Sequence, residues 1–196
     1  CRSYSKWRNN TSSCTASMIN VDYLRSWGKT PQMNGLGFIW LNRTANERWN
    51  FYHPTLTPVV VDEYHNHRST FRSVVMQGKL FNKRGVVVHG NQVMRNIDCI
   101  TYLKKGKTPD FPYVQQGVAI LEGETEEYNV GSIYEMRSTE MHKVWVEEPT
   151  ITKLTRMPGD TLGLAVYDKD KQPVCPIADF VTPEDKCWEI IEQICQ

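Results

Sequence analysis

The sequence predicts an all-β domain, a sandwich or barrel of many short strands with a helical segment at each end. Three observations carry that prediction. From position 38 onward, short runs rich in Val, Ile, Tyr, Phe and Trp are punctuated by Pro or Gly at 54, 58, 78, 85, 90, 106, 117, 123, 131 and 163, the texture of strands joined by frequent turns. No repeat, linker or low-complexity tract divides the 196 residues, 40% of them hydrophobic, so one core and a single domain over 1–196 are expected. The two ends carry apolar residues at helical rather than alternating spacing.

Taken in order, a helical segment is expected over 11–29. Ser12 and Ser13 can cap it, Met18, Val21, Leu24 and Trp27 recur at helical spacing, and Gly28 ends it. Positions 31–37 are rich in turn formers. Strands are then expected at 38–41, 58–65, 73–81, 85–88, 97–102, 117–122, 132–137, 142–146, 151–156 and 163–167, forming a β-barrel over about 38–170. The chain reverts to helix over 183–196. Thr182 is a good N-cap, Pro183 suits the first helical position, and Glu184 and Asp185 complement the helix dipole. Trp188, Ile191, Ile194 and Cys195 then share one apolar face that can pack on the outside of the sheet.

Charge and composition exclude several classes of partner. With 23 basic and 22 acidic residues the net charge is +1, so no global field attracts nucleic acid or an anionic membrane. No apolar run approaches the roughly 20 residues that cross a bilayer, and the first residues lack the apolar stretch of a signal peptide. A cytoplasmic location is expected. The six cysteines, at 1, 14, 99, 175, 187 and 195, include no Cys-x-x-Cys pair and read as reduced thiols. The sequons at Asn9, Asn10 and Asn42 carry no meaning without secretion. Lys104-Lys105-Gly106-Lys107 reads as a solvated hairpin tip.

The local feature that carries chemistry is Asp62-Glu63-Tyr64-His65-Asn66-His67. Alternate residues of a strand share a face, so Glu63, His65 and His67 would point the same way. Two imidazoles on one face make half of a metal site, their nitrogen donors suiting first-row transition metals. Much later comes a second block, Gly131-Ser132-Ile133-Tyr134-Glu135-Met136-Arg137-Ser138-Thr139-Glu140-Met141-His142.

Together these blocks resemble the two signatures of the cupin family. The first signature is Gly, five residues, His-x-His, three or four residues, Glu, six residues, Gly. The second is Gly, five residues, Pro-x-Gly, two residues, His, three residues, Asn. The chain keeps His65, His67 and Gly78 of the first, and Gly131 and His142 of the second at the right spacing. It departs at Val59, Arg137, Thr139 and Val146, and Arg72 or Phe71 falls at the Glu position. The resemblance spans about half the chain and implies a cupin-type double-stranded β-helix, a jelly-roll barrel, with an additional strand pair or loop between Gly78 and Gly131.

It also implies a site. With no Glu ligand, His65, His67 and His142 are the implied metal ligands, similar to the three-histidine cupins that resemble cysteine dioxygenase. Fe(II) is the favoured ion, with Zn, Mn or Ni as alternatives. Glu63 can serve as a fourth ligand, as an acceptor for an imidazole N–H, as a general base, or as a solvated rim residue. Of Phe71 and Arg72 the pleat lets only one face inward. An inward Arg72 predicts an anionic substrate held in a bidentate grip, whereas an inward Phe71 predicts an apolar wall. Tyr134 and Tyr128 flank Gly131, and in the resembled group a tyrosine beside the iron positions oxygen or substrate. For each of them core packing is the alternative.

Three functions follow: an iron dioxygenase acting on a small thiol- or carboxylate-bearing molecule, a non-redox isomerase, epimerase or lyase of the same fold, or a non-catalytic small-molecule-binding barrel. A homodimer is implied by the resemblance alone.

Overall fold

A computed structural model describes residues 19–56, 64–89, 97–102, 113–158, 163–168 and 182–196. Among them lie twelve strands and two helices. The first is the helix α1 (Val21–Arg25), followed by β1 (Gln32–Asn34), β2 (Phe38–Asn42), β3 (Glu47–Tyr52), β4 (Tyr64–His65), β5 (Phe71–Gln77) and β6 (Leu80–His89). Then come β7 (Ile97–Tyr102), β8 (Tyr113–Tyr128), β9 (Ile133–Met136), β10 (Met141–Trp145), β11 (Thr150–Arg156), β12 (Gly163–Asp168) and the helix α2 (Glu184–Ile194).

All pairings are antiparallel. One sheet runs β1-β2-β3-β11-β5-β9, and a second, β10-β4-β12-β7-β8-β6, closes on itself where β6 pairs with β10. This is the all-β architecture of antiparallel sheets, one of them closed into a barrel, that the sequence predicts, and it accords with the jelly-roll barrel that the resemblance implies. The stretch between Gly78 and Gly131 holds β6, β7 and β8, three strands of the second sheet.

The first sheet has two unlike faces. Its outward residues Ile39, Leu41, Trp49, Phe51 and Ile151 form a buried core with Leu24 of α1 and with Cys187, Trp188, Ile191 and Ile194 of α2. Burying a side chain of this size contributes about 1.5–3 kcal/mol, so α2 is held chiefly by its apolar face. Arg25 on α1 tethers it further through Glu192 at 2.6 Å. The thiols of Cys187 and Cys195 are free and buried, and burial pushes Cys195 up to about 11. The inward face carries Phe71, Val75, Tyr134, Met136 and Leu154, clustered with Leu80.

Several expectations are corrected here. Helix α1 begins only at Val21, because Asn20 has an extended backbone and its Oδ1 accepts from the Tyr23 N–H, capping the helix there. The proposed caps Ser12 and Ser13 lie outside the described residues. The expected strand over 73–81 is two strands, broken where Gly78 takes φ +71°. Strand β3 was not anticipated, and β8 is much longer than 117–122. At α2 the cap position falls on Pro183 rather than Thr182, with no side-chain hydrogen bond. No helix among the described residues is long and apolar enough to cross a membrane.

Candidate metal centre

Strand pairing assembles the site. In the second sheet His142 of β10 stands opposite His65 of β4 on one side and opposite Arg84 of β6 on the other. Partners directly across a ladder share a face, so His65, His142 and Arg84 line one row. His67 follows two residues after His65, past the end of β4. Its ring still reaches the same place: ring centroids are 5.0 Å apart for His65–His67, 4.7 Å for His65–His142 and 4.9 Å for His67–His142. One nitrogen from each of the three lies within 4.8 Å of the others, the single group of that kind among the described residues.

The surroundings set the state of these rings. The Asn82 amide nitrogen donates to Glu126 at 2.6 Å, and Glu126 is clamped by Arg84 at 3.0 Å. That leaves the Asn82 oxygen facing His142 Nδ1 at 2.7 Å, so Nδ1 must carry the proton and Nε2 presents its lone pair. His142 Nε2 meets His67 Nε2 at 2.7 Å. In the metal-free chain His67 therefore donates its Nε2 proton to His142. Burial pushes His67 well below the ordinary histidine range, and a proton there would also be opposed by the neighbouring His142 and His65 rings and by the Arg48 cation. Burial likewise pushes His142 down, with His65 and Arg84 adding to it. Both rings are neutral at physiological pH, the state in which imidazole ligates a metal.

The donor set fits a single divalent transition metal. Two ligands about 2.1 Å from one ion subtend roughly 3.0–3.4 Å at octahedral or tetrahedral angles, so His67 and His142 need only part by a few tenths of an ångström. The outer hydrogen bond from His142 Nδ1 to Asn82 is the kind that orients a ligating imidazole.

A pH dependence follows from the depressed pKa values. As pH falls below 6.5, the unfolded chain protonates these histidines before the folded chain does. Their contribution to stability is thus complete above that pH and is lost progressively below it. The denaturation midpoint of metal-free protein is expected to hold steady from about pH 8 to 6.5 and then drop, with a shallower drop in His142→Gln. A midpoint unchanged down to about pH 5 would contradict this assignment.

The other residues proposed from sequence are placed differently. Phe71 faces inward, 4% exposed, with its ring 4.6 Å from that of His67. Arg72 is corrected: it points outward, largely exposed, and pairs with Glu135 at 3.5 Å, because the pleat that buries Phe71 turns its neighbour to solvent. Tyr134 is buried, 6.2 Å from the Phe71 ring, and burial pushes its phenol far up, so it stays protonated. Tyr128 stacks on Tyr134 at 4.5 Å, its hydroxyl directed to Arg84 and Glu126. Its contacts are thus with the outer network rather than with the histidine rings. Glu63 lies outside the described residues. Sequence reasoning missed Asn82, Glu126 and Arg84, whose only signal is their cross-strand pairing.

No family model matches the chain, and no curated protein does. Solved structures give faint likenesses. A chain in the crystal structure of Drosophila melanogaster CENP-C bound to CAL1 is 10% identical, covering 69% of this chain and 91% of that one, with a TM-score of 0.36. The Drosophila melanogaster CENP-C cupin domain is 11% identical, covering 76% of this chain and 100% of that one, with a TM-score of 0.31. The fold assignment therefore stands on the sheet topology.

Proposed function

We propose that this chain holds one divalent metal ion on His65, His67 and His142 and acts as a mononuclear non-haem iron oxygenase on a small polar molecule. The observation that carries this reading is the convergence of three imidazoles, with His67 and His142 held neutral and His142 turned by Asn82 to present Nε2. An ion held there by three neutral imidazoles would keep its full charge and would supply Lewis-acid and redox chemistry toward a small anionic molecule.

The chain's own residues do the rest. Asn82 fixes the proton on His142 Nδ1, and the Glu126–Arg84 pair fixes Asn82. Phe71 takes the place of the carboxylate of the cupin pattern with an apolar ring against His67, which excludes water from that side. Tyr134, kept neutral, holds a phenolic proton on the same inward face.

Oxygen uptake by iron-loaded protein, measured against a panel of small thiols and organic acids, tests the reaction. Consumption of oxygen together with one of these compounds is expected, and its loss in His67→Ala. Turnover equally fast without air would overturn the oxygenase and point to Lewis-acid chemistry at the same histidines.

A further inference from the structure

Strand β3 carries Arg48, Asn50 and Tyr52 at alternate positions, on the face opposite Trp49 and Phe51. Pairing extends this inward face across the first sheet. Arg48 stands opposite Leu154 of β11, Leu154 opposite Ser73 of β5, and Ser73 opposite Tyr134 of β9, one continuous row. The adjoining row carries Phe71 and Met136, and Phe71 touches His67. The Arg48 row therefore lies one step from the three histidines.

This row is unusually polar for an interior and incompletely paired. Arg48 Nε, Asn50 Oδ1 and Ser73 Oγ are buried without a hydrogen bond of normal geometry, although the Tyr52 and Tyr134 hydroxyls come near Asn50 and Ser73. No carboxylate among the described residues pairs with Arg48. Its guanidinium lies over the rings of Trp40 at 5.8 Å and Phe38 at 5.9 Å, contacts that satisfy no N–H. Its charged neighbour is another cation, Arg156, and the Tyr52 phenol, whose influence on it is larger, stays protonated and supplies no anion. A buried cation with no anion is costly, and burial, partly offset by Tyr52, lowers this one to about 10. The sheet thus holds an arginine fork and neutral hydroxyls facing inward with no carboxylate among the described residues to bind.

We propose that this row is a subsite for the oxyanion end of a ligand, a carboxylate, with Arg48 as its anchor and the Ser73 and Tyr134 hydroxyls as neutral donors. A single guanidinium flanked by hydroxyls matches one negative charge in a planar bidentate pair. A phosphate dianion would want a second free cation, and Arg156 is already engaged with the Ala45 carbonyl at 3.1 Å. The inference rests on the three-histidine reading for its meaning as a substrate subsite, but the binding it asserts needs no metal.

The test is a titration of the metal-stripped full chain with acetate and, separately, with inorganic phosphate, following by NMR the Arg48 Nε–H resonance in the wild-type chain and the Ser73 and Tyr134 backbone amide resonances in every variant. Acetate is expected to shift them saturably. Arg48→Met should weaken acetate binding by roughly tenfold to a hundredfold, Arg48→Lys by less, and the outward Arg72→Met not at all. No saturable response in the wild-type chain, or equal binding in Arg48→Met, would overturn the proposal. Tighter binding of phosphate than of acetate would overturn the assignment to carboxylates. Metal retention, counted separately in wild type and Arg48→Met, keeps the two readings apart: acetate binding in a chain that retains no metal would sink the metal centre and leave this subsite standing.

Discussion

Replacing His142 by alanine is expected to abolish metal retention, with a loss larger than the roughly 10–100-fold that changing an outer-sphere partner produces. His142 is 2% exposed and sits between the His67 ring and Asn82, and His65, His67 and His142 are the single candidate ligand group among the described residues. The same change leaves the buried Asn82 oxygen without its donor, at about 1–3 kcal/mol. Asn82→Leu separates the two effects. It keeps all three imidazoles, frees the His142 tautomer, and is expected to weaken metal binding by roughly 10–100-fold. Metal titration against a competing chelator reads both variants. Equal retention in His142→Ala and wild type would remove the histidine from the site.

Gly78→Ala is expected to be the most damaging single methyl addition outside the site. Gly78 takes φ +71°, and a Cβ there would collide with the Pro149 carbonyl oxygen and lie 2.6 Å from Thr150 Oγ1. That hydroxyl accepts from the Lys79 N–H at 3.1 Å and donates to the Lys79 carbonyl at 2.9 Å, tying the β5–β6 turn to the start of β11. The left-handed backbone alone is worth about 1–3 kcal/mol against alanine, and moving a backbone carbonyl adds to it. A loss of about 3–5 kcal/mol is expected, or roughly 10 °C in melting temperature. Gly131 is the internal control. It has φ +84° but open space around its missing Cβ, so Gly131→Ala should show the backbone penalty alone, about 1–3 kcal/mol. Equal effects at the two positions would contradict this account.

These two glycines show why part of the site was legible. Gly78 closes the first motif block and Gly131 opens the second, and both hold left-handed turns, so their spacing from the histidines is a backbone requirement visible as residue type. His65 was legible from the alternation of His-x-His and His142 from its spacing to Gly131, and ladder pairing then sets the two opposite each other. His67 reached the cluster by a route the strand argument did not foresee, because β4 ends at His65.

What stayed hidden is mostly inverted polarity. Strand β3 turns Trp49 and Phe51 outward under α2 and Arg48, Asn50 and Tyr52 inward, so its polar residues read as loop while they line the interior. Asn82 was invisible because its meaning depends on the register that sets it beside Glu126, and that ladder shifts between Lys83 and Gly85. A bulge of that kind has no mark in the sequence.

Whether the three histidines form one metal site is decided by counting metal with elemental analysis in the full chain purified without chelators or a polyhistidine tag. About one equivalent of a first-row transition metal per chain is expected, reduced to background in His65→Ala, His67→Ala and His142→Ala alike. A folded chain that retains no metal and takes up none from added Fe(II) or Zn(II) would contradict the three-histidine site.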